Sequence, residues 1–189
     1  FDIDGTLIDS NSLHVLAWEE AFSAIGVQID RHLIHDQIGK GADKLIPALM
    51  PELDEPTMDR LGKAEGEIFK QKYLASAKPF DGVRDLLETV HARGQKVVLA
   101  TSSSQEQVEH YLDLLDVRPF VIATTSSDDV NDTKPAPDIF ATALAKLPGV
   151  AFADCLVVGD TPYDIEAAKE CGIATVALRA GGFSDETLQ

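Results

Sequence analysis

Two aspartates, Asp2 and Asp4, stand one residue apart and are followed at once by Gly5. In an extended strand alternate side chains share a face, so both carboxylates would point to the same side. Ionised acids that close repel one another unless a cation or a proton intervenes. A hard cation with a preference for oxygen ligands, such as Mg²⁺, answers that need. A solvated turn at a strand end is the bland alternative for these residues taken alone. Further polar residues recur along the chain: Thr101-Ser102-Ser103-Ser104, then Lys134-Pro135, then Gly159-Asp160 with Asp164 four residues on. Brought together, these carboxylates, hydroxyls and one ammonium would make a site for magnesium and a phosphate.

The elements between them say how they could meet. From Ser12 to about Ala77 the reading is helical throughout: Leu13, Leu16, Ala17 and Ala21 make one helix stripe, and three more helices follow over 33–39, 43–50 and 57–74, the third closed by Pro47 and Pro51. After Pro79 the pattern alternates. Helices over 83–94, 104–115, 137–147 and 162–171 separate short apolar runs at 96–101, 120–123, 155–158 and 174–178. Continuous apolar runs alternating with helices predict an α/β fold with a parallel, doubly wound sheet covered on both faces. Ligands bind such sheets at the carboxyl ends of the strands, and each polar cluster falls at one of those ends. The chain opens directly at Phe1, so the first strand is expected to be shortened.

The stretch Phe1–Ser10 resembles the first motif of the haloacid dehalogenase-like hydrolases, D-x-D-G-T-L-x-D-S. Leu99-Ala100-Thr101 is similar to the second motif, Lys134-Pro135-Ala136-Pro137-Asp138-Ile139-Phe140 to the third (K-P-x-P-x-x-F), and Gly159-Asp160-Thr161-Pro162-Tyr163-Asp164 to the fourth (G-D-x-x-x-D). The order is the family's, and the resemblance covers nearly the whole chain. It points to the phosphatase branch with an α-helical cap, the group similar to phosphoglycolate phosphatase and β-phosphoglucomutase. It implies a Rossmann-like catalytic core over 1–11 and 79–189 and an inserted all-helical cap domain over 12–78. It further implies Asp2 as nucleophile, Asp4 as general acid and base, and Thr101, Ser102 and Lys134 on the phosphate. Asp2, Asp160, Asp164 and the Asp4 main-chain carbonyl would hold Mg²⁺. In the cap, His14, Lys40 and Gly41 are the expected substrate contacts. The phosphate-clamping Arg of β-phosphoglucomutase has no match, since Asp43 and Lys44 stand there, and Gly159 replaces that enzyme's Glu. Both departures favour a phosphatase over a sugar-phosphate mutase. Asp4 argues against a dehalogenase, in which the second aspartate is absent.

Residues read one at a time have ordinary alternatives: Thr101 and the serines as helix caps, Lys134 as a surface lysine, Asp164 as a partner of a helix dipole, Trp18 as core packing. Asp9 and Ser10 are expected to cap the first inserted helix. A receiver-like phospho-acceptor switch would need an acid after the third strand, where Ala123-Thr124-Thr125 offers none. A phosphonate hydrolase would need a cap lysine forming a Schiff base, for which only Lys40 stands near.

A formal net charge of −16 excludes non-specific nucleic-acid binding, which needs a basic surface. No apolar run is long enough for a membrane span. The two cysteines, Cys155 and Cys171, have no metal-type spacing and read as buried free thiols, which fits the cytoplasm. The expected partner is a small phosphorylated metabolite. The sequence sets no oligomeric state beyond monomer or dimer.

Overall fold

The apolar runs at 97–100 and 121–125 form β3 (Val97–Ala100) and β4 (Val121–Thr125), which pair in parallel. β5 (Leu156–Gly159) and β6 (Ala174–Ala177) form a second parallel pair. Phe1 and Asp2 join the two pairs. The Phe1 carbonyl accepts from Ala100 N at 2.8 Å, and Asp2 N donates to the Val158 carbonyl at 2.9 Å. The sheet order in this computed structural model, which describes residues 1–189, is therefore β4, β3, the Phe1–Asp2 segment, β5, β6.

Strand alternation divides the core. Val97 and Leu99 face a cluster with Ile3, Leu87, Val108 and Tyr111, drawn from α5 (Val83–Ala92) and α6 (Gln105–Leu115). Val98 and Ala100 face the other cluster, with Val157 of β5 and with Ile139, Phe140 and Ala167 from α7 (Asp138–Ala145) and α8 (Pro162–Glu170). Helices thus cover both faces, as the continuous apolar runs require.

The helical block has its own apolar cluster. Val15, Trp18 and Phe22 on α1 (Asn11–Ala24), Ile34 on α2 (Arg31–His35), Leu45 and Ile46 on α3 (Ala42–Leu49) and Leu61 on α4 (Glu55–Ile68) pack together. The chain enters and leaves this block through a two-residue antiparallel ladder, β1 (Ile8–Asp9) against β2 (Lys78–Pro79). So short a ladder has no readable periodicity in the sequence.

Three local expectations need correction. Pro47 does not close α3 but lies inside it, and the helix runs on to Leu49, two residues short of Pro51. Ser10 stands at the N-cap position of α1 but makes no capping bond, because its hydroxyl is engaged elsewhere. Cys155 and Cys171 are free but half-buried, since the first sits just before β5 at its outer end and the second terminates α8. The fourth helix also widens after Ile68 into a π-helical turn, Phe69–Tyr73.

Candidate active site

The predicted residues do meet at the carboxyl ends of the strands. Asp2, Asp160 and Asp164 are buried, and each offers one carboxylate oxygen within 4.8 Å of the others. Lys134, only 1% exposed, reaches in from the loop after β4. Its ammonium donates to Asp2 Oδ1 at 2.6 Å and to the Ala100 carbonyl at 3.1 Å. It also lies 2.7 Å from Asp164 Oδ1, at an angle that leaves this buried oxygen without a hydrogen-bond donor. Thus Lys134 is no surface lysine.

Asp160 is held by Thr6 Oγ1, which donates to Oδ1 at 2.7 Å, and by Asn11 Nδ2, which donates to Oδ2 at 2.8 Å. The turn at Gly5 makes room for it. Gly5 has φ +76°, and a Cβ there would lie 2.1 Å from Asp160 Oδ2. Asp164 forms a capping box with Thr161: Thr161 N and Oγ1 donate to its Oδ2 at 3.1 and 2.7 Å, and Asp164 N donates back to Thr161 Oγ1. Its two roles therefore coexist, one oxygen capping α8 and the other facing Lys134. Gly159 makes space for Asp164, a Cβ there meeting its Cγ at 2.4 Å.

Burial pushes the Asp2 carboxyl up to about 7; Lys134 opposes the shift and Asp164 adds to it. Burial, then the negative charges of Asp2 and Asp164, push Asp160 up to about 8. Burial would drive Lys134 down, but Asp164 and Asp2 hold it well above the usual lysine value. Three buried carboxylates against one ammonium leave an excess of negative charge in a set of oxygen donors only. That set of converging carboxylate oxygens fits a hard divalent cation.

Asp4 lies apart from this cluster. Ser10 Oγ donates to its Oδ1 and Ser103 Oγ to its Oδ2, both at 2.6 Å; Tyr111 Oη donates to Oδ1 at 3.1 Å, and His14 Nε2 lies 3.3 Å from the same oxygen. Burial alone would raise this carboxyl, but the His14 bond and charge, then Ser10 and Ser103, hold it at about 2. His14 is itself bonded to Glu65, with Nδ1 3.0 Å from Oε1, and stacks on Phe69 with ring centroids 3.8 Å apart. Burial works against its charge, yet Asp4 and Glu65 raise it to about 10. With Asp4 so engaged, only its main-chain carbonyl remains free for a metal.

Thr101 is buried, and its Oγ1 accepts from Ser103 N at 3.1 Å. Ser104, not Thr101, caps α6. Ser102 Oγ is buried without a partner at the wall of the cavity. That cavity, of about 360 Å³, is bounded by Asp2, Asp4, Thr101 and Ser102 below and by His14, Lys40 and Gly41 above. Lys40 reaches Gln37 Oε1 at 2.6 Å and lies over the Tyr163 ring. Trp18 lines the cavity from within its own apolar cluster. Glu65, Tyr111 and Asn11 were missed by sequence reasoning, and Thr6, inside the first motif, was given no role. No local pattern marks Glu65 or Tyr111, while Asn11 directly follows the first motif.

These shifts set a pH dependence. A carboxyl raised from about 4 to 7 or 8 binds protons in the folded state that the unfolded chain releases, so its contribution to stability is lost as pH rises through that window. His14, raised from 6.5 to about 10, adds stability below 6.5 that is lost as pH rises toward 10. Asp4, lowered to about 2, loses its contribution only as pH falls below about 4. The metal-free protein is therefore expected to melt highest near pH 5 and progressively lower up to pH 9, each titrating group contributing at most about 1.4 kcal/mol per pH unit. Thermal melts in chelator across that range check this, and a melting temperature rising from pH 5 to 9 would contradict it.

The fructose-1-phosphate phosphatase YqaB of Escherichia coli is 29% identical over 95% of the chain and 94% of its own length. A phosphoglycolate phosphatase of Pseudomonas savastanoi is 30% identical over 96% of the chain and 68% of its own length. A crystal structure of a hydrolase from Pseudomonas syringae superposes with a TM-score of 0.92 at 31% identity, covering 100% of the chain and 86% of that protein. The pattern of the haloacid dehalogenase-like hydrolases matches residues 1–178, the span that carries the acid cluster, Lys134 and Asp4, and the chain belongs to that family.

Proposed function

We propose that the protein is a phosphatase that hydrolyses small phosphate monoesters with Mg²⁺, through a phosphoryl group carried on Asp2. The observation that carries this is the Asp2 carboxylate, held against Lys134 at the floor of a cavity beside the unpartnered Ser102 hydroxyl. The phosphatase names of the relatives support it. Asp2 attacks the phosphorus in line, its oxygen–phosphorus bond forming as the ester oxygen–phosphorus bond breaks. Lys134, the Thr101 and Ser102 hydroxyls and backbone N–H groups near Ile3, Asp4 and Ser102 hold the phosphoryl oxygens. Asp4, once it has taken a proton from the neighbouring His14, passes it to the leaving alkoxide, and as carboxylate it then takes one from the water that cleaves the aspartyl phosphate. Asp2, Asp160, Asp164 and the Asp4 main-chain carbonyl would hold Mg²⁺, which when bound supplies positive charge to the phosphoryl oxygens. With Mg²⁺ the fall in melting temperature toward pH 9 should shrink, because the cation takes the place of the protons.

Residues 12–78 are the cap over a core of 1–11 and 79–189, hinged at the β1–β2 ladder, with His14, Lys40 and Gly41 toward the leaving group. A cytoplasmic phosphorylated metabolite is the substrate class. The cap also favours hydrolysis over a mutase reaction. A mutase must grip a second phosphate while its substrate turns round, which calls for a forked Arg. No Arg lies between Gly39 and Met50, and Lys44 is already paired with Asp132 and Asp43.

The test is release of inorganic phosphate from a panel of monoesters with Mg²⁺. It includes β-glucose 1-phosphate with a trace of the 1,6-bisphosphate. Free phosphate is expected at every turnover, and glucose 6-phosphate in large excess over phosphate would overturn hydrolysis in favour of the mutase.

A further inference from the structure

We propose that Asp43 is a positioning residue: it fastens the cap to Thr133, and through that clasp holds the loop that presents Lys134 to Asp2. Asp43 is the second residue of α3, and Thr133 lies 90 positions away, immediately before Lys134. Both polar hydrogens of Thr133 go to this one carboxylate, the N–H to Oδ2 at 3.1 Å and the hydroxyl to Oδ1. The same hydroxyl oxygen accepts from Gly41 N at 2.9 Å. A buried threonine thus spends both of its donors, and one hydroxyl lone pair, on the start of one cap helix. The fit is close, since a Cβ on Gly41 would lie 2.6 Å from Thr133 Oγ1. Beside the clasp, Lys44 pairs with Asp132.

An aspartate in the first turn of a helix has an ordinary explanation, the positive end of the helix dipole. That role needs a charge near the helix axis; it does not need a two-point contact with a residue across the cavity. The geometry here does more. The hinge ladder fixes the cap on one side, and the clasp fixes it at the loop that carries the buried ammonium. Opening the cap must break three hydrogen bonds, two of them to a charged group, and these strengthen as water is excluded. When the clasp closes, the backbone next to Lys134 is held whatever leaving group fills the cavity. Cap closure is then registered by the protein's own contacts rather than by a particular substrate group.

The inference rests on the phosphatase reading only where turnover is concerned, so the experiment has two arms. The first is amide hydrogen exchange on the intact chain, comparing the parent with Asp43→Ala and Thr133→Val. Exchange at Gly41 and at Thr133 to Lys134 is expected to rise at least tenfold in Asp43→Ala, and at Gly41 in Thr133→Val. Changes confined to α3 would reduce Asp43 to a helix-end charge and overturn the proposal. The second arm is a double-mutant cycle on phosphate release. Each single variant is expected to lower kcat about tenfold with KM changed less than about threefold, and the double variant to be no slower than the slower single. Multiplicative losses, or a loss confined to KM, would overturn it. Thr133→Val keeps the side-chain shape and leaves Asp43 in place, so it decides the question if Asp43→Ala fails to fold. A parent that releases no phosphate from any monoester would sink the phosphatase reading, while the exchange arm would still decide the clasp.

Discussion

Asp2→Asn is expected to lower phosphate release by ~10⁴-fold or more, the scale on which loss of a nucleophile acts, while raising the melting temperature of the metal-free protein at pH 8. The two effects have one cause. Asp2 is buried with Asp160 and Asp164, their oxygens within 4.8 Å of one another, and Lys134 is the only cation among them. Burial and the Asp164 charge already push Asp2 toward holding a proton at neutral pH. An amide at this position removes one of the mutually repelling charges but still accepts the 2.6 Å bond from Lys134. It also removes the nucleophilic carboxylate and weakens the oxygen set offered to a cation. Strain of this kind is tolerated at a site because the chemistry uses it, and relief of it trades activity for stability. The measurement is phosphate release with Mg²⁺ together with thermal melts in chelator. Recovery of a phosphorylated enzyme with the phosphate on another residue, or full activity in Asp2→Asn, would refute the assignment.

The acid pair, Lys134 and the Gly159–Asp164 stretch could be read from the chain because residue type and order carry them. Each sits next to an apolar run, so the strand and its polar end are visible together. The four predicted strands after Pro79 fall within a few residues of β3 to β6 for the same reason. The capping box of Asp164 was also visible as Thr-x-x-Asp, although the sequence did not say that one carboxylate would serve both cap and cluster. The rest depends on contacts between distant residues. Glu65 meets His14 across 51 positions, and Asp43 meets Thr133 across 90. Nothing in the spacing of α4 marks Glu65, because a helix period tells which face is apolar and not which polar residue is buried with a partner. The π-helical turn that sets Phe69 on the His14 ring has no sequence signature either. The pairing of Lys44 with Asp132, 88 positions away, is likewise invisible in the sequence.

Asp4→Asn is the second large effect, and it separates the two proton transfers. In the structure Asp4 is the base form, held at about 2 by His14, Ser10 and Ser103 against the cost of its burial. That form suits the second step, removal of a proton from the attacking water. For the first step a proton must reach Asp4 or the leaving oxygen, and the positively charged donor beside it is His14, 3.3 Å from Oδ1 and raised to about 10 by Asp4 and Glu65. Asn can still accept from Ser10 or Ser103, so the pocket keeps its shape, but it can neither give nor take the proton. Loss of general acid and base catalysis costs roughly 10²–10⁴-fold per step. With an alkyl phosphate both steps slow and little intermediate gathers. An aryl phosphate, whose leaving group departs without a proton, spares the first step and leaves only the second impaired. Asp4→Asn should therefore show a burst of one aryl alcohol per enzyme, followed by slow turnover, with phosphate trapped on Asp2. Rapid-quench measurement of the burst and the acid-stable phosphoenzyme checks this. Steady turnover within threefold of the parent on both substrates would remove Asp4 from the proton transfers.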